Sequence, residues 1–518
     1  MDKQFEALKK QEFVVGSDIC RYFELLPEGS VIKNGYELMM EYPEGERKKI
    51  FQDLLRQRMK KGNIDVNIMA KVDKLNFAKN GEYLGDENTD ALAALRAFAY
   101  SKVNAAVVLS AGMNPRLYSY IEKFEGFYPN HEGEFNKRII LKVSDFRSAL
   151  IQAKFLAKKG LWVSEFRIES GLNCGGHAFA TEGFLLGPIL EDFKQNRISM
   201  RNELEGLYKK TLAQKEVFVG ELPQQKITVQ GGIGTAQENN FLLKYYNLDA
   251  TGWGSPFLLV PDATNVDEKT LQRLTAANED SFYVSNSSPL GVLFNNFKNS
   301  GIDLQRLERI KKGKPGSPCT KKYLCTNTEF TMEPICTASR KYQTLKIAEL
   351  KTKELPVATY EKQLERITEK VCLCEGLCSS TYQNLGILKP KESKAVAICP
   401  GPNLAYFNRI YSLDEMVKHI YGNTNILSHT QRPNMFINEL KMYVDYLRKE
   451  ITESSVQITH SQTKKWNTFK KNILEGIEYY HDLFKGSSFF GNGLSTINLQ
   501  LQEYKLQLTA IEVPQVEK

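Results

Sequence analysis

Between residues 64 and about 254, the chain repeats a short β-rich apolar run, a polar turn and a longer helix-compatible segment. Buried parallel strands read as near-continuous apolar runs of this kind. The runs are IDVNIMA from Ile64, AAVVLS from Ala105, RIILKV from Arg138, VSEFRIE from Val163, ITVQG from Ile227 and DATGWG from Asp249. The repeat predicts parallel βα units, and eight such units close a (β/α)8 TIM barrel.

The rest of the chain is expected to complete and extend this barrel. The first sixty residues should supply the two missing strands, with FVVGS from Phe13 and SVIKNGYELMM from Ser30 as candidates. After about residue 300 the pattern changes to a cysteine-bearing loop region and then to long amphipathic helices. We therefore expect an α/β protein in three parts. They are an N-terminal segment (1–60), a barrel core (61–300) and a mainly helical, cysteine-containing C-terminal region (301–518).

Composition and charge argue against nucleic-acid-binding, membrane-spanning and exported proteins. The net charge of +8 arises from 69 basic and 61 acidic residues that are mostly interspersed, which argues against a nucleic-acid partner. No run approaches the roughly 18 apolar residues of a spanning helix, and the opening MDKQFEALKKQEF lacks the apolar stretch of a signal peptide. We expect a cytoplasmic protein without a membrane partner. One basic excess, RLERIKKGKPGSPCTKK from Arg306, is either a solvated loop or the surface that receives an acidic partner.

The sharpest chemical signal is the segment ESGLNCGGH, which runs from Glu169 to His177 directly after a predicted strand. The carboxyl end of that strand should open onto the active face of a barrel. Gly175 and Gly176 would let the backbone approach a ligand closely. A histidine in this place can act as a general acid or base near neutral pH. The plainer interpretation is a glycine-rich turn with a surface histidine.

A second signal consists of two glycine turns, QGGIGT from Gln230 and GWGSPF from Gly252. Gly254 follows Gly231 by 23 residues, which fits one helix and the return to the next strand. The turns should therefore lie side by side at the barrel mouth. Adjacent free backbone N–H groups form an anion site, which is the usual phosphate site of such barrels. Taken singly, each turn could also be a loop that only connects two secondary-structure elements.

These motifs together resemble the nitronate monooxygenase (2-nitropropane dioxygenase-like) family and the related FMN-dependent enoyl reductases. That family carries E-G-x-E-A-G-G-H, A-G-G-I and G-T-R-F segments in this order and spacing. LLGPIL from Leu185, AGM from Ala111 and DVNIM from Asp65 also resemble family stretches. The resemblance covers roughly residues 60 to 300 and implies a flavoprotein oxidoreductase on a TIM barrel.

Residue roles follow from the resemblance at the matching positions. Asn67 would touch the isoalloxazine of FMN, and Lys142 and Glu169 would line the flavin face. Gly175 and Gly176 belong to the same cofactor site, and His177 would be the catalytic acid or base. The FMN phosphate would be held by Gly231, Gly232, Gly254 and Ser255.

The resemblance leaves more than one function open. A nitronate monooxygenase acts on a small molecule with oxygen, whereas an enoyl reductase draws hydride from NAD(P)H and reduces an acyl thioester. The chain also resembles enoyl reductase subunits of polyunsaturated fatty acid and polyketide synthases, where the basic stretch would meet an acidic acyl carrier protein. No segment before Asp65 resembles the family's opening P-I-I-Q-G-G-M-G strand, which favours a third hypothesis, a catalytically inactive scaffold. The C-terminal helices are candidates to cover the barrel mouth or to form a homodimer surface.

The nine cysteines suit reduced thiols, and six of them cluster between Cys319 and Cys378. Clustered thiolates could hold zinc or an iron–sulfur cluster. None of the spacings is the C-x2-C pair of common zinc modules, so we assign no metal ligand. A metal-dependent enzyme is a further alternative.

Overall fold

The computed structural model describes residues 1–68, 73–110, 113–130, 132–173, 182–217, 220–318, 322–454, 458–485 and 493–515. In these ranges a parallel sheet and its helices carry the largest hydrophobic core. An N-terminal group of helices, an antiparallel hairpin and a set of C-terminal helices surround it. None of the helices in these ranges is long and apolar enough to cross a membrane.

The first sixty residues form helices, so the two barrel strands expected there are wrong. Ser30 begins one of them by accepting a hydrogen bond from the backbone N–H of Lys33, and Lys33, Tyr36 and Met39 are buried at helical spacing. The run from Phe13 lies outside any helix or strand, and its valines are exposed. The four helices pack on a small core of their own and are α1 (Asp2–Lys9), α2 (Asp18–Glu24), α3 (Val31–Glu41) and α4 (Glu46–Arg58).

The six predicted strands all form, and they pair in parallel in chain order. The predicted βα arrangement is therefore confirmed. The strands are β1 (Asp65–Ile68), β2 (Ala105–Leu109), β3 (Lys137–Val143), β4 (Val163–Glu169), β5 (Lys226–Gln230) and β6 (Ala250–Gly252). The helices between them are α5 (Asp90–Tyr100), α6 (Pro115–Ile121), α7 (Phe146–Ala157), α8 (Leu186–Gln214) and α9 (Ala236–Tyr245). Val107, Leu141 and Ile168 belong to the core that one face of the sheet shares with these helices.

The opposite face of the sheet is concave. Arg167 on β4 donates to Asp65 on β1, with 2.8 Å between Nη2 and Oδ2, although two strands lie between them. In a flat sheet these strands would be roughly 14 Å apart, at about 4.8 Å per strand, which exceeds the reach of the two side chains. The sheet of the described residues is therefore curled, with β1 and β6 at its edges.

The remaining elements are mostly helical, as expected for the C-terminal region. Two of the long helices, α16 (Met435–Glu453) and α17 (His460–Phe484), join the main core through Phe436, Tyr443 and Phe469. The hairpin is formed by β7 (Phe282–Ser285) and β8 (Phe294–Phe297). The helices are α10 (Glu268–Thr275), α11 (Gly301–Lys311), α12 (Arg340–Lys351), α13 (Val357–Thr368), α14 (Leu373–Asn384), α15 (Leu413–Tyr421), α16 (Met435–Glu453), α17 (His460–Phe484) and α18 (Leu494–Thr509).

Candidate functional site

Polar and charged side chains line part of the concave face of the sheet, beside a small apolar cluster contributed by β2 and β3. Side chains alternate along a strand, so Asp65 and Asn67 share a face, and the Asp65–Arg167 ion pair identifies it as the concave one. Lys142 pairs in register with Arg167, and Glu169 lies two residues further along β4. This face therefore carries ionisable groups up to the carboxyl ends of the strands.

A row of three side chains crosses the carboxyl ends of β3, β4 and β5. Lys142 Nζ lies 3.1 Å from Glu169 Oε1, and Gln230 Nε2 donates to the same oxygen at 2.7 Å. The Glu169 side chain is 1% exposed and that of Lys142 is 16% exposed. The carboxylate is thus held in a nearly dry environment, where ion pairs are strong.

Three buried oxygens at the carboxyl ends of β2 and β4 have no hydrogen-bond partner among the described residues. They are Ser110 Oγ, Glu169 Oε2 and Asn173 Oδ1. Buried polar atoms are almost always paired in native proteins, so unpaired ones call for a partner. Donors that reached these atoms, from outside the described residues or from a ligand, would satisfy them.

The glycine turns after β5 and β6 lie side by side, as the sequence predicts. The N–H of Gly231 lies 3.5 Å from the carbonyl oxygen of Gly252. Gly231 and Gly232 have φ values of +101° and +79°, a region that favours glycine. A Cβ on Gly231 would lie 2.7 Å from Cα of Asn173, and one on Gly232 would meet the Leu172 side chain at 2.8 Å. The loop after β4 therefore packs directly on this turn.

These two turns also present unpaired backbone donors. Across the ranges that the structure describes, the N–H groups of Gly232, Ile233 and Ser255 have no hydrogen-bond acceptor. Ile233 is 2% exposed and Ser255 is 4% exposed. Buried N–H groups without an acceptor are rare, and such groups bind anions where they converge. We treat these three N–H groups as a candidate phosphate site and call them the anion site.

The C-terminal half packs against the same turns. Ser255 Oγ accepts a hydrogen bond from the Gly401 N–H at 2.8 Å. Arg432 donates to the carbonyl oxygen of Gly232 at 2.6 Å and forms an ion pair with Glu238 at 2.7 Å. The side chains of Arg432 and Glu238 are 4% and 3% exposed. Each charge therefore depends on the other, because an unpaired buried charge is strongly unfavourable.

A buried carboxylate on α16 binds both flanks of the segment that contains His177. Glu439 accepts hydrogen bonds from the backbone N–H groups of Gly171 and Leu186, both at 2.8 Å, and from the Ser170 hydroxyl at 3.2 Å. Burial raises the pKa of Glu439 to about 7, and the three donors oppose that rise. Glu439 thus connects the loop after β4 to the first turn of α8.

The structure brings several of the residues predicted from the sequence together. Lys142 and Glu169 are in contact. Asn67 is exposed on the same concave face. The predicted phosphate-binding residues lie on the two adjoining turns and are Gly231, Gly232, Gly254 and Ser255. The others lie outside the described residues and are Gly175, Gly176 and His177.

Sequence reasoning missed five side chains of this site, namely Ser110, Asn173, Gln230, Arg432 and Glu439. Asn173 and Gln230 stand inside the motifs, where a polar residue at a strand end was the available signal. Glu439 lies among the buried apolar positions of α16, where a charged residue is unusual. Nothing local to Arg432 indicates a contact with Glu238, 194 residues away.

The cysteine region yields no metal centre in the part of the chain that is described. No group of three His, Cys, Asp or Glu side chains in that part could hold a metal ion. Cys319 and Cys174 lie outside the described residues. Burial raises the pKa of the Cys336 thiol to about 11, which disfavours the thiolate that a metal requires.

Comparison with known proteins gives distant structural similarity only. FabK from Thermotoga maritima is 13% identical with a TM-score of 0.36, over 77% of this chain and 82% of that chain. The enoyl reductase domain of MlnA, from the macrolactin biosynthesis cluster of Bacillus amyloliquefaciens, is 14% identical with a TM-score of 0.32, over 72% and 77%. Similarity of this size establishes neither a shared fold nor a shared activity. No protein-family model and no curated protein matches the chain.

Proposed function

We propose that this protein is a flavin-dependent oxidoreductase that binds FMN at the carboxyl ends of its parallel strands. The observation that carries the proposal is the set of three buried N–H groups without an acceptor at the turns after β5 and β6, which we assign as the anion site. TIM barrels bind phosphate groups at the turns after their last two strands, where backbone N–H groups point at the ligand. β5 and β6 are the last two parallel strands of this sheet. The buried N–H groups of Gly232, Ile233 and Ser255 would each gain a phosphate oxygen as acceptor.

The residues between the anion site and β2 suit the rest of the cofactor. The unpaired oxygens of Ser110, Glu169 and Asn173 are acceptors for the hydroxyl groups and ring N–H of a flavin. Lys142 forms an ion pair with Glu169 at the edge of this region. When bound, FMN would supply the exchange of electrons or hydride.

The remaining chemistry is assigned to His177, which we propose moves a proton at the substrate carbon. Gly171 and Leu186, on either side of its segment, are held by one carboxylate, that of Glu439. That arrangement would fix where the segment begins and ends relative to the strand edge. The substrate is a nitronate with oxygen as acceptor, or an enoyl thioester with NAD(P)H as donor.

The first test is an absorption spectrum of the purified protein, with the released cofactor identified by mass. Ser255→Asp should abolish FMN binding, because a carboxylate at the anion site repels phosphate. Ser255→Asn is the matched control, because an asparagine side chain has nearly the same size as aspartate but carries no charge. Its side-chain oxygen can still accept the hydrogen bond from the Gly401 N–H. FMN bound equally by both folded variants would contradict the assignment of the anion site.

Activity then separates the two substrate classes. Wild type and His177→Ala are compared with a nitronate in air, and with an enoyl thioester and NADPH without oxygen. We expect wild type to turn over one of the two substrates. His177→Ala should lower that rate by about 10²-fold or more, as removal of a general acid or base does. If the protein binds flavin but turns over neither substrate, the proposal is reduced to FMN binding.

A scaffold without flavin is the second candidate, and two contacts favour it. The Gly401 N–H already occupies Ser255 Oγ beside the anion site, and the C-terminal half packs on the same turns. Colourless wild-type protein that also fails to take up added FMN would favour this candidate, or the metal-dependent alternative, over the flavoenzyme.

An acidic acyl carrier protein remains a proposed partner of the basic stretch. On and after α11, Leu304 and Leu307 are 42% and 47% exposed, and Lys311, Lys312 and Lys314 are exposed. Exposed apolar residues beside lysines suit an acidic partner helix. Changing the three lysines to glutamate should weaken carrier-protein binding, and unchanged affinity would rule this surface out.

A further inference from the structure

Three consecutive backbone carbonyls in the turn after β5, those of residues 232–234, each accept a hydrogen bond from a side chain of the C-terminal half. The bonds run from Arg432 Nη2 to Gly232 at 2.6 Å, from Asn403 Nδ2 to Ile233 at 2.9 Å and from His419 Nε2 to Gly234 at 2.8 Å. Asn403 and His419 are each 1% exposed, and the Arg432 side chain is 4% exposed. The C-terminal half therefore holds this turn through three buried bonds.

The orientation of each carbonyl also fixes the N–H of the same peptide unit. A trans peptide is planar, and its C=O and N–H groups point in opposite directions. Arg432, bound to the Gly232 carbonyl, therefore directs the Ile233 N–H away from the C-terminal half. His419 does the same for the N–H of Thr235. Neither N–H has an acceptor in the described ranges, so each needs one on that opposite side.

The peptide unit between these two is fixed at both ends. Asn403 donates to its carbonyl, and its N–H, on Gly234, donates to Glu238 Oε2 at 2.9 Å. Asn403 Oδ1 accepts from Arg432 Nε at 2.8 Å, and Arg432 Nη1 donates to Glu238 Oε1 at 2.7 Å. The Arg432 cation also polarises the peptide that it binds, which makes the N–H of Ile233 a stronger donor.

His419 on α15 acts as a neutral donor. The Gly234 carbonyl can only accept, so Nε2 carries the proton, and Nδ1 accepts the N–H of Ile426 at 3.4 Å. Burial lowers the pKa of His419, so its ring is neutral at pH 7. The ring also packs edge-on against Trp253 in the turn after β6, with 5.9 Å between the ring centroids. One buried histidine therefore contacts both turns of the anion site.

The segment that contains Asn403 also reaches the turn after β6 and the loop after β4. The N–H of Gly401 donates to Ser255 Oγ at 2.8 Å. A Cβ on Gly401 would lie 2.6 Å from the carbonyl oxygen of Leu172 and 2.8 Å from that of Asn173, so only glycine fits this contact. Residues 401–403 thus connect the segments that form and border the anion site.

We infer that Asn403, His419 and Arg432 are positioning residues of the anion site, and that the site binds phosphate only while the C-terminal half is packed on the turn after β5. Their donors hold the carbonyls on one side, so the N–H groups meet a phosphate on the other side without reorganisation. None of the three side chains needs to touch the ligand. The inference rests on the proposed function, because it takes the anion site as the place where the FMN phosphate binds.

The test is calorimetric titration of the full chain, freed of any bound flavin, with FMN, riboflavin and inorganic phosphate. Riboflavin lacks the phosphate group, so the ratio of the two flavin affinities reports on the anion site. Wild type should bind FMN more tightly than riboflavin by about tenfold or more. His419→Met and Asn403→Leu should each weaken FMN and phosphate binding about fivefold, the effect of one lost hydrogen bond, with riboflavin affinity unchanged.

The controls separate positioning from packing. His419→Gln keeps a side-chain N–H close to the position of the imidazole Nε2, so it should retain the FMN affinity within about twofold. His429→Met makes the same change as His419→Met at an exposed histidine outside the network, and it should leave all three affinities unchanged. If Asn403→Leu fails to fold, the pair His419→Met and His419→Gln still decides the question.

The outcomes distinguish the inference from the proposed function. FMN affinity that stays at the wild-type level in the variants, or that falls equally with the riboflavin affinity, would overturn the inference and leave the flavin proposal standing. Wild type that binds phosphate but no flavin, with phosphate binding weakened in the variants, would refute the flavin proposal and uphold the inference. Wild type that binds neither FMN nor phosphate would overturn both.

Discussion

The carboxylate of Glu439 should make the stability of the protein depend on pH in a direction opposite to that of most carboxylates. Its pKa is raised by burial to about 7, against an ordinary value of 4.5. Since the folded protein binds this proton more tightly than the unfolded chain, the stabilisation is fully present below pH 4.5 and is lost as pH rises through 7. Most paired carboxylates behave in the reverse manner.

The magnitude follows from the difference between the two pKa values. Each pH unit of that difference corresponds to ~1.4 kcal/mol, which gives about 3 kcal/mol in all. About 2.5 kcal/mol of this stabilisation should be lost between pH 5 and pH 8. In Glu439→Gln the group is neutral throughout, so the free energy of unfolding of wild type relative to this variant should fall by that amount over the interval.

The assay is urea unfolding followed by far-ultraviolet circular dichroism at several pH values. Glu450→Gln serves as the matched control, because it makes the same chemical change on the same helix α16, outside the cluster of Gly171, Leu186 and Ser170. The difference in free energy of unfolding between wild type and Glu450→Gln should not change with pH in this way. A wild-type advantage over Glu439→Gln that stays constant within about 1 kcal/mol from pH 5 to pH 8 would refute the reasoning.

Three further predictions concern the contacts that hold the C-terminal helices. Arg432→Met leaves the Glu238 carboxylate buried without its cation and should cost about 3–5 kcal/mol in urea unfolding. The double change with Glu238→Gln should recover much of that loss, and an equal or larger loss would contradict the ion-pair argument. Gly183→Ala brings a Cβ within 2.4 Å of a backbone oxygen of α17 at φ +90° and should lower the thermal midpoint, whereas Gly206→Ala, with open space around it, should not. Tyr480→Phe removes the acceptor, at 3.0 Å, of a backbone N–H in the first turn of α8; we expect about 1–2 kcal/mol lower stability and faster exchange of that amide.

The sequence alone determined the six parallel strands and the relation between the two glycine turns. Parallel strands that are buried on both faces read as near-continuous apolar runs, and such runs between polar turns are a local pattern of the sequence. The 23 residues between Gly231 and Gly254 allow one helix and one return, so neighbouring turns followed from chain length. Helical spacing likewise indicated α16 and α17, because a one-sided apolar face is a local pattern.

Only the tertiary structure decided the N-terminal helices and the contacts of the C-terminal half. The run from Ser30 is short and apolar enough for a strand, and packing on the other N-terminal helices made it α3. The bonds of Glu439 and Arg432 join residues 268 and 194 positions apart, so no local pattern encodes them. Unpaired donors such as the Ile233 N–H exist only once burial has excluded water from them. Burial is a property of the folded chain, and for that reason the candidate site became visible only in three dimensions.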